Sequence, residues 1–169
     1  MQPADVIAAA KRGSLDAVGE LYRQHADMVY TLAYRMLAAP DEAGDVLQDV
    51  FVGLPHALRT YSEQGRFESW LKRVVVRTCL MRMRTQKRRR EAGETDLMEV
   101  ATRPPDVVDQ IALQRALERM PEQFRSVFVL REIEGYSHAE IAELIGISAA
   151  NSATRLSRAW MLLRKELNQ

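Results

Sequence analysis

Apolar residues recur at three- and four-residue intervals over almost the whole chain, as in Leu21, Val29, Leu32, Ala33, Met36 and Leu37. Strand-like alternation is nearly absent, so the pattern predicts a protein built of helices. A first helix is expected over Pro3–Arg12, broken at Gly13, and a second over Leu15–Leu37, stopped before Pro40. A third starts near Asp41, where Asp41 and Glu42 suit the positive end of a helix dipole, and runs through Val46, Leu47, Val50, Phe51 and Leu54. Pro55 removes a backbone donor and is expected to kink or weaken it. After a loop over Thr60–Gly65, a fourth helix runs from Phe67 through Trp70, Leu71, Val74 and Val75 to Arg90.

The texture then changes. Glu91–Asp106 is acidic, holds Gly93 and the pair Pro104-Pro105, and has few apolar residues; it reads as a flexible tether. Helical spacing returns at Val107–Arg119, and Met120-Pro121 marks a corner with proline at a favourable first-turn position. Three more helices complete the chain. The expected fold class is therefore all-α, with two small helical domains, 1–90 and 109–169, joined by a linker over 91–108.

The second block contains the grammar of a helix-turn-helix. Ser137 can cap a helix, with Glu140 three residues on to close a capping box. Ile141, Leu144 and Ile145 form its apolar stripe, Gly146 ends it in a left-handed cap, and Ser148 opens the next helix. Ala149, Ala150 and Ala153 keep that next helix slim enough for a groove, and Leu156, Ala159, Leu162 and Leu163 are expected to face the core. Ser148, Asn151 and Ser152 can meet phosphates or base edges, and Arg155 and Arg158 can do either. An ordinary helical hairpin has the same spacing.

Charge alters this picture only through its distribution. The net charge is +1, yet residues 1–90 hold 15 basic and 10 acidic side chains, while residues 91–169 hold 9 and 13. Any nucleic-acid contact must therefore come from local patches. The densest is the fourth helix, where Lys72, Arg73, Arg77, Arg82, Arg84, Lys87 and Arg88 follow a group of rings, Tyr61, Phe67 and Trp70. Positive charge beside aromatic rings suits single-stranded or locally melted DNA, whose bases stack while the backbone is neutralised. Tyr61, in a polar loop, is the stacking candidate; Phe67 and Trp70 read better as core residues beneath the charge. Asp41, Asp45 and Asp49 share one helix face and, with Gln48, Leu47 and Val50 alongside, form either a docking surface for a basic helix or a solvated face.

Catalytic signals are weak. His25, His56 and His138 lie far apart and in no metal-ligand spacing, and neither a phosphate loop nor a nucleophile elbow is present. No enzyme, cofactor or metal site is expected. Cys79 is the one cysteine and, among Val75, Val76 and Leu80, reads as a core residue rather than a redox sensor. The start of the chain lacks the basic and apolar regions of a signal peptide and no apolar run reaches the length of a membrane span, so a cytoplasmic protein without membrane insertion is expected.

In order and content these parts resemble the extracytoplasmic-function (ECF) group of the sigma-70 family of bacterial transcription initiation factors. Asp41–Phe51 is similar to the family's polymerase-docking segment, Phe67–Val74 to the start of its promoter-melting helix, and Pro121–Ser137 with the helix-turn-helix to its carboxy-terminal domain. The resemblance implies that Asp45, Leu47, Gln48, Asp49 and Val50 lie against the coiled coil of the polymerase beta-prime subunit. It implies that Tyr61, Ser62, Arg66, Phe67, Trp70, Arg73, Arg77 and Arg84 handle the minus-ten element, and that Ser148, Asn151, Ser152, Arg155 and Arg158 read the minus-thirty-five element. The implied partners are core RNA polymerase (beta-prime and beta subunits), promoter DNA and an anti-sigma factor. Arg77 and Met81 stand where the family often has Asn and Asp, Ala153 where a lysine is common, and Pro55 where a large aromatic is usual. Two rival readings are a stand-alone helix-turn-helix regulator, which would bind duplex DNA without polymerase, and a protein-interaction module whose arginines are surface charge.

Overall fold

Helix boundaries in the computed structural model follow the local chemistry of the chain. The structure describes residues 2–62, 66–93 and 108–169, without the side chains of 108–110. They divide into an amino-terminal unit carried mainly by α1–α5 and a carboxy-terminal unit carried mainly by α6–α9.

The first unit comprises α1 (Pro3–Lys11), α2 (Leu15–Leu37) except its last three residues, α3 (Pro40–Val52), α4 (Leu54–Ala57), a 3-10 turn (Leu58–Thr60) and α5 (Phe67–Glu91). Its core is the seam where α3 packs on α5, with Ala43, Val46, Val50 and Phe51 against Leu71, Val75, Val76, Cys79, Leu80 and Met83. Each buried aliphatic side chain there contributes roughly 1.5–3 kcal/mol relative to exposure. On the other side α1 packs on α4 and the 3-10 turn, burying Val6, Ala10, Leu54 and Leu58.

The third helix does not kink at Pro55, as the sequence suggested. It stops at Val52, Gly53 breaks the run, and Pro55 lies in the first turn of α4. A first-turn N–H has no intrahelical acceptor, so proline costs little there. The expected tether lies mostly outside the described residues; its first residue, Glu91, is still the last of α5.

The second unit comprises α6 (Val108–Arg119), α7 (Glu122–Phe128), a π-helical turn (Val129–Ile133), α8 (His138–Ile145) and α9 (Ala149–Leu167). Pro121 is the cap of α7 rather than a first-turn residue. The long helix α9 packs on α6, α7 and α8 around Leu117, Val127, Phe128, Leu130, Ile141, Ala159 and Leu163. Trp160 sets its ring edge-on to Phe128 with centroids 5.2 Å apart, and its indole Nε1–H donates to Glu132 Oε1 at 3.3 Å. The buried Arg125 donates through Nη1 to the Met120 carbonyl at 2.9 Å and the Leu117 carbonyl at 3.5 Å. These acceptors lie at the negative end of α6 and offset the cost of taking the guanidinium out of water.

Candidate nucleic-acid interface

The helix-turn-helix forms with the capping the sequence predicts. Ser137 Oγ accepts from Glu140 N–H at 3.1 Å, while Glu140 Oε2 accepts from Ser137 N–H at 2.8 Å. Gly146 takes the left-handed conformation at φ 82°, ψ 40°, and its N–H donates to the Ala142 carbonyl. Ser148 then caps α9, its Oγ accepting from Asn151 N–H at 2.9 Å. Two turns of good helix signal thus enforce the abrupt change of direction between α8 and α9.

Four of the five residues expected to read DNA from α9 are accessible. Ser148, Asn151 and Arg158 are exposed and Arg155 is half-buried, its Nε–H donating to Asn151 Oδ1 at 3.2 Å. That bond pre-orients the guanidinium along the open face of the helix. Ser152 departs from expectation. It is fully buried, and its Oγ lies 2.8 Å from His138 Nδ1. One residue is 100° of helix, so Ser152 turns toward α8 while Asn151 and Arg155 stay outside. It cannot touch DNA.

In the other unit the three rings form one cluster. Tyr61 meets Phe67 edge-on at 5.7 Å and Trp70 at 5.3 Å, and Phe67 lies 5.8 Å from Trp70. All three are half-buried. Phe67 and Trp70 are therefore not core residues, as the sequence suggested, but part of an accessible aromatic platform. Ser62 and Arg66 flank it and are exposed. Trp70, Arg73, Arg77 and Arg84 follow i, i+3, i+7, i+14 spacing, which carries one stripe of α5 away from the platform. The three arginines are exposed.

Arg82 is not part of that stripe, since it falls on the opposite side of α5, toward α3. Its Nη2 lies 2.8 Å from Asp45 Oδ2, its Nη1 4.0 Å from Asp49 Oδ2 and its Nε 4.0 Å from Glu42 Oε2. Gln86 reinforces the seam through a hydrogen bond to Glu42. A charge that reads as DNA-binding in the sequence thus restrains the acidic face of α3. That face carries Asp45, Gln48 and Asp49, all exposed. The docking set is corrected at one position: Val50 is only 4% exposed, because it follows Ala43 and Val46 into the core. Leu47 is half-buried, and Val52, 76% exposed, continues the outer face in its place. The alternation of Ala43, Val46 and Val50 was the signal that could have separated the two faces.

His25, missed in the sequence, abuts the platform with its ring edge-on to Phe67 at 5.2 Å. Burial holds its pKa below the ordinary imidazole range, with the Glu68 carboxylate pulling weakly the other way. Cys79 lies in the α3–α5 seam, and burial pushes its thiol up to about 12, the opposite of what a reactive thiolate requires. Among the described residues no group of His, Cys, Asp and Glu is placed to hold a metal, and no helix is long and apolar enough to cross a membrane.

Comparison with known proteins agrees with this arrangement. The family model for sigma-70 region 2 matches residues 21–89, which hold the α3 face, the platform and the basic stripe. That for sigma-70 region 4 matches residues 110–163, which hold the helix-turn-helix. The ECF RNA polymerase sigma factor SigM of Mycobacterium tuberculosis is 33% identical over 156 residues, covering 92% of this chain and 80% of its own. SigW of Bacillus subtilis, also an ECF RNA polymerase sigma factor, is 27% identical over 176 residues, covering 95% of this chain and 94% of its own. The sigma factor RpoE of Bartonella quintana, solved in complex with the anti-sigma factor NepR, shares the fold with a TM-score of 0.66 at 19% identity, over 89% of this chain and 96% of that one. CnrH, solved in complex with the cytosolic domain of CnrY, superposes with a TM-score of 0.54 at 26% identity, over 96% and 95%. With both family regions matched in order and relatives aligned over most of their length, the chain belongs to the ECF group of the sigma-70 family: it is an RNA polymerase sigma factor, a non-catalytic subunit for promoter recognition and transcription initiation.

Proposed function

We propose the following division of labour within that activity. Residues 1–90 dock on core polymerase through Asp45, Gln48 and Asp49 of α3 and open the minus-ten element by capturing an unstacked base on Tyr61, Phe67 and Trp70. Ser62 and Arg66 border the captured base, and Arg73, Arg77 and Arg84 hold the strand's phosphates. Residues 109–169 read the minus-thirty-five element through Ser148, Asn151, Arg155 and Arg158 on α9, and residues 91–108 link the two. The protein acts in the cytoplasm, where core polymerase and DNA are found. An anti-sigma protein restrains it, a reading supported by the complex of CnrH with a second protein.

The observation that carries this reading is the half-buried three-ring cluster at the head of a basic helix stripe. A platform of rings holds any base face, and neighbouring guanidinium groups neutralise the backbone that brings the base there. Work done by binding suffices, because capture of an unstacked base draws the duplex toward its open form. Replacing Tyr61 with alanine removes a stacking partner worth about 1–3 kcal/mol. In holoenzyme reconstituted with bacterial core polymerase, permanganate footprinting of a promoter mapped from transcript ends will show open complex reduced about tenfold in Y61A. Unchanged opening with normal polymerase binding would remove Tyr61 from the mechanism.

A further inference from the structure

Polar side-chain contacts, besides the packed core, tie α9 to the rest of its unit. Arg119 pairs with Glu166 near its end, and Trp160 bonds Glu132 at its middle. At its reading end the tie is His138 Nδ1 to Ser152 Oγ, 2.8 Å apart, between the first residue of α8 and the fourth of α9. Ser152 is fully buried and His138 half-buried. An apolar pair in this place would pack acceptably over a range of helix rotations. A buried hydroxyl does not, because it is stable only when hydrogen-bonded, and the bond fixes both distance and direction. The pair therefore selects one rotation of α9 about its axis.

That rotation decides where the neighbours of Ser152 point. Asn151 precedes it, and Arg155 lies three residues on, tied to Asn151 Oδ1. Side-chain tips lie about 5 Å from the helix axis, so a 20° rotation moves them by roughly 2 Å. A displacement of that size breaks a hydrogen bond to a base edge. It affects phosphate contacts less, since long-range charge attraction survives small shifts.

We infer that His138 and Ser152 form a positioning pair that sets the sequence specificity of α9 without touching DNA. This rests on the reading that α9 faces the minus-thirty-five element. The test uses full-length protein in holoenzyme with bacterial core polymerase, transcribing a promoter library randomised at both elements, with active templates sequenced. Wild type enriches defined sequences at both. Ser152→Ala and His138→Ala are expected to flatten the minus-thirty-five preference by at least about threefold, part of the roughly tenfold that one good base contact supplies. Their minus-ten preference stays at the wild-type level. His138→Asn, whose amide can occupy the place of Nδ1, restores the minus-thirty-five preference. A merely structural role would lower thermal stability or total transcription and leave the enriched sequence unchanged, so wild-type preference in both alanine variants would overturn the inference. If Ser152→Ala does not fold, the His138→Ala and His138→Asn comparison decides alone. The doubly substituted Arg155→Ala, Arg158→Ala protein separates the two levels: loss of minus-thirty-five preference there, with none in either single alanine variant, refutes the pair only. Retained preference in the double variant refutes the reading of α9 itself.

Discussion

Gly146→Ala isolates the cost of the turn between the two helices of the helix-turn-helix. Gly146 has φ 82° and ψ 40°, a conformation that L-residues avoid because Cβ crowds the following carbonyl. A Cβ built there meets nothing within 4 Å, so no steric clash with neighbouring groups adds to the penalty. The expected loss is the backbone strain alone, about 1–2 kcal/mol. For a domain of this size each kcal/mol lowers the melting midpoint by roughly 4–8 °C. Gly146→Asn is expected to lose less, since asparagine tolerates this conformation. Gly44→Ala provides a control of opposite sign: it lies inside α3, an added Cβ is again unobstructed, and the gain is about 0.5–1 kcal/mol. The two units are read separately by fluorescence, through Trp160 in a Trp70→Phe background and Trp70 in a Trp160→Phe background. An unchanged midpoint in Gly146→Ala, or an equal loss in Gly146→Asn, would refute the assignment of the turn to backbone strain. A loss above about 4 kcal/mol would mean contacts that the open space at this turn excludes.

Two further outcomes concern titration. Burial raises the Cys79 thiol from 9.0 to about 12, so the folded state prefers the protonated form. The stability this contributes is whole below pH 9 and is lost as pH rises toward 12, at up to about 1.4 kcal/mol per unit. Cys79→Ala will show a shallower alkaline decline in denaturant unfolding, and native wild type will resist thiol labelling until it unfolds; rapid labelling of folded protein contradicts the buried seam. His25 has its pKa lowered by burial, so its contribution is present above the ordinary value of 6.5 and is lost as pH falls through the lowered one. His25→Gln is expected to flatten the acid limb of the stability curve, and an unchanged limb would sever His25 from the platform's folding.

The helices were legible because their punctuation is local. The span Leu15–Leu37, the Ser137–Glu140 box and the Gly146 cap each depend on residues a turn or two apart. The kink expected at Pro55 does not form, because Gly53 ends α3 first and proline then fits the start of α4. Faces were harder. Val50 follows the exposed Asp49, and Ser152 stands between the exposed Asn151 and Ala153; only the stripe of buried positions reveals that each turns inward. Contacts between distant segments left no mark in the sequence. Arg82 reads as one more cation of a basic helix, yet it serves the acidic face 37 residues earlier. Phe67 and Trp70 looked like core because large rings usually are, and their accessibility comes from meeting Tyr61 and one another instead.

Association with core polymerase tests the central claim most directly. The purified chain is mixed with bacterial core RNA polymerase, passed over a sizing column, and the polymerase fraction is supplied with a promoter library and nucleotides. The account predicts that the chain elutes with core and that transcripts start at defined promoters only when it is present. Sequence-specific binding to duplex DNA by the free chain, with no co-elution and no promoter-dependent transcript, would contradict it.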